Sequence, residues 1–255
     1  MRRPLRVAVL AALLASTPAI AYLLPPAAVL KRMAQRREEL ALASLEVRGT
    51  LSASGETARA LAAAAGLPPP GAELLVPAVL SIKAPGRCRL EIFPPGAPAD
   101  RPFVATGRGR VSGGRGLERV AAALALVKGA CTYLGFRPGG TDPGRVYADE
   151  LARLGVALGE DYLGQMGGRV SYVIGAPPQE KRPQAWIDKQ SFQPVRLLAA
   201  LAGSPADVRL VDFGSPVGGD LFPRALEVHE NASLSLRLTA EKVAPNPKIP
   251  DGLFP

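Results

Sequence analysis

The sequence predicts an α+β protein in which a large antiparallel sheet has one apolar face and helices cover that face. Apolar and polar residues alternate along the last third of the chain, where Leu234, Leu236 and Leu238 are separated by polar residues. A period of two is typical of a strand with one buried and one solvated side. Other segments have helical patterns and are apolar enough to pack on the dry side of such a sheet.

Four segments are predicted to be helical. They are Ala27–Ala43, Glu56–Ala65, Gly116–Lys128 and a segment that begins after Asp142. The third is apolar on nearly all sides and is therefore expected to be well buried. Asp142 is a typical N-cap, and the proline that follows it suits the first helical position.

Strands are predicted on both sides of the two central helices. A hairpin turns at Pro85-Gly86, a short strand is expected over Phe103–Thr106, and strands resume after Gly168. Glu227 and Ser235 are expected on the outer, polar face. The side chains predicted to face inward, and to form an apolar ligand site, are Leu80, Ile82, Leu90, Ile92, Val170, Tyr172, Ile174, Leu226, Val228, Leu234 and Leu236.

The first 21 residues have the pattern of a secretory signal peptide. Three arginines in the first six residues precede the apolar run Val7–Ala15, and a small–x–small site ends at Ala21. Cleavage after Ala21 would leave residues 22–255 as a single domain. The alternative is an uncleaved membrane anchor over Val7–Leu24, which Pro18 disfavours.

The net charge is basic and restricts the partners. Removing the three arginines of the signal lowers the formal charge from +9 to +6. A basic surface suits transient contact with a membrane that carries anionic head groups. Nucleic acid is not expected as a partner, because the arginines are scattered and few aromatics accompany them. The alternative is an ordinary solvated basic surface.

The residues that could carry catalysis or bind a metal are scarce. His229 is the single histidine, and no G-x-S-x-G motif precedes it. Two cysteines and one histidine cannot form a structural zinc cluster. The run Gly107–Gly114 resembles a phosphate-binding loop, but Arg115-Gly116 stands where Lys and Ser or Thr belong. We therefore expect neither an enzyme nor a cofactor or metal, and the functional candidate is the apolar sheet face. That face is either the ordinary core of the protein or a cavity covered by a helical lid. The periodicity of the sequence does not distinguish between these two alternatives.

Several turn and strand motifs resemble those of a known family. They are Trp186–Lys189, Phe192–Leu197, Val211–Phe213, Gly218–Arg224 and Pro250–Phe254. With these motifs the chain resembles the LolA/LolB-like superfamily of periplasmic lipoprotein carriers, especially the outer-membrane lipoprotein-sorting proteins. The resemblance implies an incomplete antiparallel barrel, open on one side and lidded by helices, with lipid acyl chains inside.

The resemblance also implies a function and a location. The expected function is a periplasmic carrier that holds acyl chains of lipoproteins or lipids for sorting toward the outer membrane. An envelope transporter or outer-membrane receptor would be a further partner. The alternative is a regulatory or structural envelope module of the same fold that binds a protein partner.

The two cysteines are expected to form a disulfide. An exported protein with two cysteines lies in an oxidising compartment. Cys88 belongs to a predicted strand on the apolar face, and Cys131 lies at the end of the helix expected to cover it. The alternative is two buried free thiols, since a lone cysteine behaves as a small apolar residue.

Overall fold

A computed structural model describes most of the chain. It covers residues 23–96, 102–109, 111–112, 120–135, 142–201 and 203–254, with only the backbone described for 111–112. The predicted signal peptide lies outside these residues. So do the first residues of the helix predicted to begin at Gly116 and part of the glycine-rich run 107–114.

One antiparallel sheet of 12 strands organises the described residues. Its strand order is β5-β4-β3-β2-β1-β12-β11-β10-β9-β8-β7-β6, so β12 lies between β1 and β11 and the two outer strands do not pair. The strands are β1 (Ser44–Ser54), β2 (Glu73–Lys83), β3 (Arg87–Ile92), β4 (Phe103–Thr106), β5 (Val111–Ser112), β6 (Asp161–Met166), β7 (Arg169–Ile174), β8 (Gln184–Asp188), β9 (Pro194–Leu201), β10 (Ser204–Val211), β11 (Ala225–Glu230) and β12 (Ser233–Pro245).

The described α-helices all precede β6 in the chain, and a 3-10 turn over Asp251–Leu253 follows β12. The α-helices are α1 (Pro26–Glu39), α2 (Gly55–Ala64), α3 (Ala121–Leu134) and α4 (Pro143–Arg153). α3 contacts β2, β3 and β4 on one side and β9 to β12 on the other. A flat sheet cannot touch one helix with strands so far apart in its order, so the sheet curls around α3. The predicted α+β class, with an unclosed curled sheet and helices on its concave face, is confirmed.

Apolar and polar side chains alternate along the central strand β1. Leu45, Val47 and Leu51 are fully buried, whereas Glu46, Arg48 and Thr50 are partly or fully exposed. Gly49 pairs with β12 at an irregularity of the register. A Cβ at this position would lie 1.9 Å from the carbonyl oxygen of Thr239, so only glycine permits this approach of the two strands.

α1 ends earlier than the sequence predicted. It begins at Pro26, where a proline suits the first turn, and stops at Glu39 rather than Ala43. Ala41 has a positive φ of 47°, which ends the helical path. The amide of Ala43 donates instead to Asn246 Oδ1 at 2.7 Å, which begins the connection into β1.

α3 continues beyond the predicted end at Lys128 to Leu134. The extra residues include Tyr133 and Leu134, both fully buried, so the helix extends as far as the sheet supplies apolar contacts. α4 begins as predicted, because the Asp142 side chain accepts a hydrogen bond from the amide of Arg145 at 3.3 Å.

Two strands, the two-residue β5 and β6, were missed by the sequence pattern. β6 precedes Gly168, where strands were expected only to resume. It is an edge strand that pairs with β7 alone, and Gly164 and Gln165 interrupt its apolar alternation. The hairpin turns at Gly167 and Gly168, whose φ angles of 57° and 76° favour glycine.

Candidate functional site

The concave face of the sheet is occupied by α3. This helix contacts β2 to β4 in one half of the sheet and β9 to β12 in the other. Most of its residues are buried, and they are Ala122, Ala123, Ala125, Leu126, Val127, Gly129, Ala130, Thr132, Tyr133 and Leu134. The helix thus fills the trough in which the sequence resemblance implied acyl chains.

Small residues bring the α3 backbone close to the sheet. The closest approach is at Gly129, where a Cβ would lie 2.8 Å from Val208 Cγ1 and 2.9 Å from Val208 Cγ2. Val208 lies in β10 and is fully buried. Glycine at position 129 therefore sets the depth at which the helix sits in the trough.

Two tyrosines hold the C-terminal half of α3. Tyr133 donates its hydroxyl to the carbonyl of Arg196 in β9 at 2.9 Å, and Tyr147 in α4 donates to the carbonyl of Tyr133 at 3.2 Å. Burial raises the pKa of both phenols. Both therefore stay neutral hydrogen-bond donors at physiological pH and link α3 to β9 and to α4.

A disulfide fixes the same end of α3 to the sheet. Cys88 of β3 is bonded to Cys131 of the last turn of α3, with a Cα–Cα distance of 5.6 Å. This is the pairing expected from the sequence. Gly107 lies beside it, since a Cβ there would be 3.1 Å from the Cys131 sulfur.

Nine of the eleven side chains predicted to face inward are buried. Their exposed fractions are 0–4%. They are Leu80, Ile82, Leu90, Ile92, Tyr172, Ile174, Leu226, Val228 and Leu236.

Leu234 is a correction to the predicted set, because it is 37% exposed. A bulge between Val228 and His229 shifts the register, so that Val228 pairs with Leu236 and His229 with Leu234. The extra residue is Ser235, which was predicted to face outward. It is buried and donates to the carbonyl of Val228 at 3.0 Å. A bulge reverses the alternation beyond it.

Val170 is the second correction, with an exposed fraction of 44%. It shares a face with Tyr172, two residues further along β7. The first two residues of β7 are exposed, however, because they adjoin the glycine turn at the end of the β6–β7 hairpin. Val170 therefore lies on the predicted face of β7, but the elements that bury Tyr172 on this face do not extend over Val170.

Two principal pockets are formed by the described residues, and the eleven predicted residues line neither of them. The first, about 450 Å³, lies at the C-terminal end of α3 beside Cys131 and Tyr147. The second, about 310 Å³, lies on the outer face and is bordered by Asp188, Gln193 and Phe213. With α3 in this position, the nine buried side chains of the predicted set belong to a packed core.

The outer face carries a ladder of charged side chains. Asp207 is bound by Arg196 at 2.7 Å and by Arg209 at 2.8 Å. Burial acts to raise the pKa of Asp207, but the hydrogen bonds from Arg196 and Arg209 outweigh it and hold the pKa below its ordinary value. His229 belongs to the same face, with Nε2 2.9 Å from Glu227 Oε2. His229 therefore faces away from the trough and lies among structural ion pairs.

The described segments contain neither a metal-binding cluster nor a helix that could cross a membrane. No cluster of three or more His, Cys, Asp or Glu side chains there is arranged to hold a metal ion. Nor does any helix in the described ranges have the length and apolarity needed to cross a membrane.

Comparisons with known proteins give structural similarities only. No family model matches the chain. No curated protein sequence matches it. Among solved structures, it is similar to a LolA superfamily protein from Nitrosomonas europaea, with 13% identity, 91% of this chain and 98% of that chain covered, and a TM-score of 0.46.

Two further solved structures are similar to the chain. A DUF1329 family protein from Desulfovibrio piger shares 10% identity over 91% of this chain and 98% of its own, with a TM-score of 0.40. MucB shares 14% identity over 89% of this chain and 61% of its own, with a TM-score of 0.30.

Proposed function

We propose that this protein is a periplasmic carrier that holds acyl chains of lipids or lipoproteins between the concave face of its sheet and α3. One observation carries the proposal: an alanine-rich helix fills an unclosed trough of large aliphatic side chains. An acyl chain presents an apolar surface, as the buried side of α3 does. It could therefore take the place of part of the helix without leaving a polar group unpaired.

The free energy of transferring an acyl chain out of water favours such an exchange. Transfer of an acyl chain out of water contributes about 0.8 kcal/mol per methylene, or roughly 10 kcal/mol for a long chain. Displacing only the first turns of α3 exposes the buried Ala122, Ala123 and Ala125 together with Leu126. Each of these alanines loses less apolar contact than a leucine. The large aliphatic side chains of the trough would remain covered, now by the ligand.

The two ends of α3 differ in how firmly they are held. The C-terminal end carries the disulfide at Cys131 and the hydrogen bond of Tyr133. At the N-terminal end, the N-cap residue Val120 makes no side-chain hydrogen bond to the helix, and the first turns are alanine-rich. We therefore expect the helix to open from its N-terminal end and to stay tethered at Cys131.

The proposed location rests on two features. The first is the signal-like sequence that ends at Ala21, and the second is the disulfide between Cys88 and Cys131, which persists in oxidising compartments. N-terminal sequencing of the exported protein should begin at Tyr22. A mature protein that began at Met1 would contradict this part of the proposal.

Titration of a fluorescent acyl probe into the delipidated wild-type protein tests the function. We expect saturable binding. Leu226→Trp places a large side chain in the buried face under α3 and should weaken binding by about tenfold or more. Leu234→Trp is the matched control, since Leu234 is exposed on the outer face, and it should leave the affinity within about twofold.

Wild-type protein decides the outcome even if Leu226→Trp folds poorly. Absence of saturable probe binding by the delipidated wild type would refute the carrier function. The fold would then serve as an envelope module whose concave face is simply its core.

A further inference from the structure

The pocket at the C-terminal end of α3 is lined by charged side chains, whereas the trough is lined by apolar ones. We call it the α3-end pocket. Its volume is about 450 Å³, and it lies between α1, α4, the β2–β3 turn and the last turn of α3. Its walls include Ala34, Pro85, Gly86, Gly107, Cys131, Thr132, Gly135, Pro143, Val146 and Tyr147.

Basic side chains outnumber acidic ones around this pocket. They come from distant parts of the sequence, so their meeting is a property of the fold. The five cations are Arg37, Arg87, Arg108, Lys128 and Arg153, and the three carboxylates are Glu38, Asp149 and Glu150.

Two of these cations already have ionic partners. Arg87 lies 2.7 Å from Asp251, and Arg153 lies 2.9 Å from Glu150. The second pair neutralises one of the three carboxylates of the pocket. These pairs therefore contribute little net charge to a ligand.

Arg108 and Lys128 are the cations left for a ligand. Neither forms an ion pair with any residue in the described part of the chain. Arg108 is exposed, and Lys128 is half-buried on α3. Burying part of a lysine without a carboxylate partner makes an anionic ligand favourable at this position.

The buried Arg37 is a further basic residue that lines the pocket. Its exposed fraction is 2%, and Nη1 donates to the carbonyls of Asp220 and Leu221 at 3.2 and 3.1 Å. Burial lowers the pKa of this guanidinium. An anion brought into the pocket would stabilise its charged form.

The rim of the pocket is built from backbone that approaches closely. A Cβ on Gly135 would lie 3.0 Å from the Cα of Gly86, and one on Gly107 would lie 3.1 Å from the Cys131 sulfur. The disulfide holds these segments together, so the rim is preorganised.

We propose that the α3-end pocket binds a phosphate group, contacted by Arg108 and Lys128 above the buried Arg37. A phosphate carries one or two negative charges and several acceptor oxygens, which two cations from different elements can share. The remaining carboxylates, Glu38 and Asp149, are exposed at the rim, where solvent and salt screen their repulsion. The phosphate group comes either from a phospholipid head group or from free phosphate. This inference does not rest on acyl-chain binding, because the pocket and the trough have different walls.

Calorimetric titration of the mature protein with inorganic phosphate, beside co-sedimentation with phosphatidylglycerol vesicles, tests the inference. The pocket variant is Arg108→Gln with Lys128→Gln. The matched control is Lys181→Gln with Arg224→Gln, which removes the same charge from two exposed positions outside the pocket. The pocket variant should weaken binding by about tenfold or more, and the control by less than about twofold.

The two ligands distinguish the sources of the phosphate. Saturable binding of free phosphate that the pocket variant alone abolishes supports a site for soluble phosphate. Pocket-dependent binding to vesicles alone supports a lipid head group. Absence of binding to both ligands, or equal weakening by the pocket and control variants, would overturn the inference. Neither result depends on the outcome of the acyl-probe titration.

Discussion

Replacing Gly129 by alanine has two opposite effects on stability. The change raises helix propensity but crowds the packing of α3 against the sheet, and the structure indicates that crowding is the larger effect. Alanine is favoured over glycine within a helix by up to about 1 kcal/mol. Considered alone, the sequence of α3 therefore predicts that the change stabilises the protein. The added methyl group, however, would lie 2.8 Å, 2.9 Å and 3.0 Å from three carbon atoms of Val208.

The contact is too close to relax without cost. Val208 is β-branched, so its side chain has little freedom to rotate away. α3 cannot simply slide outward either, because Cys131, two residues further on, is bonded to Cys88. Overpacking of this kind costs about 1–3 kcal/mol. Because the contact is shorter than 3.0 Å, we take the cost from the upper part of this range, about 2–3 kcal/mol. After a gain of about 1 kcal/mol in helix propensity, we expect a net loss of about 1–2 kcal/mol.

Urea unfolding followed by circular dichroism measures the loss, with thermal unfolding as a second readout. A loss of this size lowers Tm by about 2–8 °C for a chain of this length. Val208→Ala should cost less stability in the Gly129→Ala protein than in the wild type, since the two residues are in contact and their effects are coupled. A Gly129→Ala protein as stable as wild type would refute the assigned depth of α3 in the trough.

Three further changes test other parts of the structure. Replacing Cys88 and Cys131 by serine should lower the free energy of unfolding by about 4 kcal/mol, because the bridge closes a long loop. Leu236→Ala should cost about 2–5 kcal/mol, whereas Leu234→Ala in the same strand should change stability by less than about 0.5 kcal/mol. Asp207→Asn should cost about 1–3 kcal/mol at pH 7. A carboxylate whose pKa is depressed on folding stabilises above its unfolded pKa, so this difference should vanish as pH falls well below 3.8.

Each of these changes has a result that would count against the structure. Reactive thiols in the unfolded, unreduced protein would exclude the disulfide. Equal effects of the two leucine changes would place both side chains on one face and remove the bulge in β12. A stability difference for Asp207→Asn that persisted undiminished at pH 2 would mean that the carboxylate is not the group that titrates.

The local alternation of the sequence predicted which side chains are buried wherever a strand is regular. Leu80, Ile82, Leu90 and Ile92 are all fully buried as expected. Leu234 was placed on the wrong face, because a single inserted residue reverses the alternation and nothing in the local pattern marks it. Such an insertion depends on the partner strand and is therefore not a property of the segment alone.

The α3-end pocket could not be predicted from the sequence. Its cations lie on α1, in the β2–β3 hairpin, after β4, on α3 and on α4, as Arg37, Arg87, Arg108, Lys128 and Arg153. Pocket formation depends on tertiary contacts between these segments. The same holds for the depth of α3, since periodicity identified an apolar helix but not the close approach at Gly129.

The position of β12 in the sheet has a consequence for how the chain folds. β1 pairs with β12, and Ala43 is hydrogen-bonded to Asn246, 203 residues away. The two halves of the sheet, β1–β5 and β6–β12, are each built from neighbouring segments and can form early, whereas the seam between them requires a long-range encounter. Until β12 docks, β1 presents an open edge, and an open strand edge in a partly folded chain invites intermolecular pairing. We therefore expect the closing of this seam to be the slow step of folding and the stage at which the chain is most prone to aggregate.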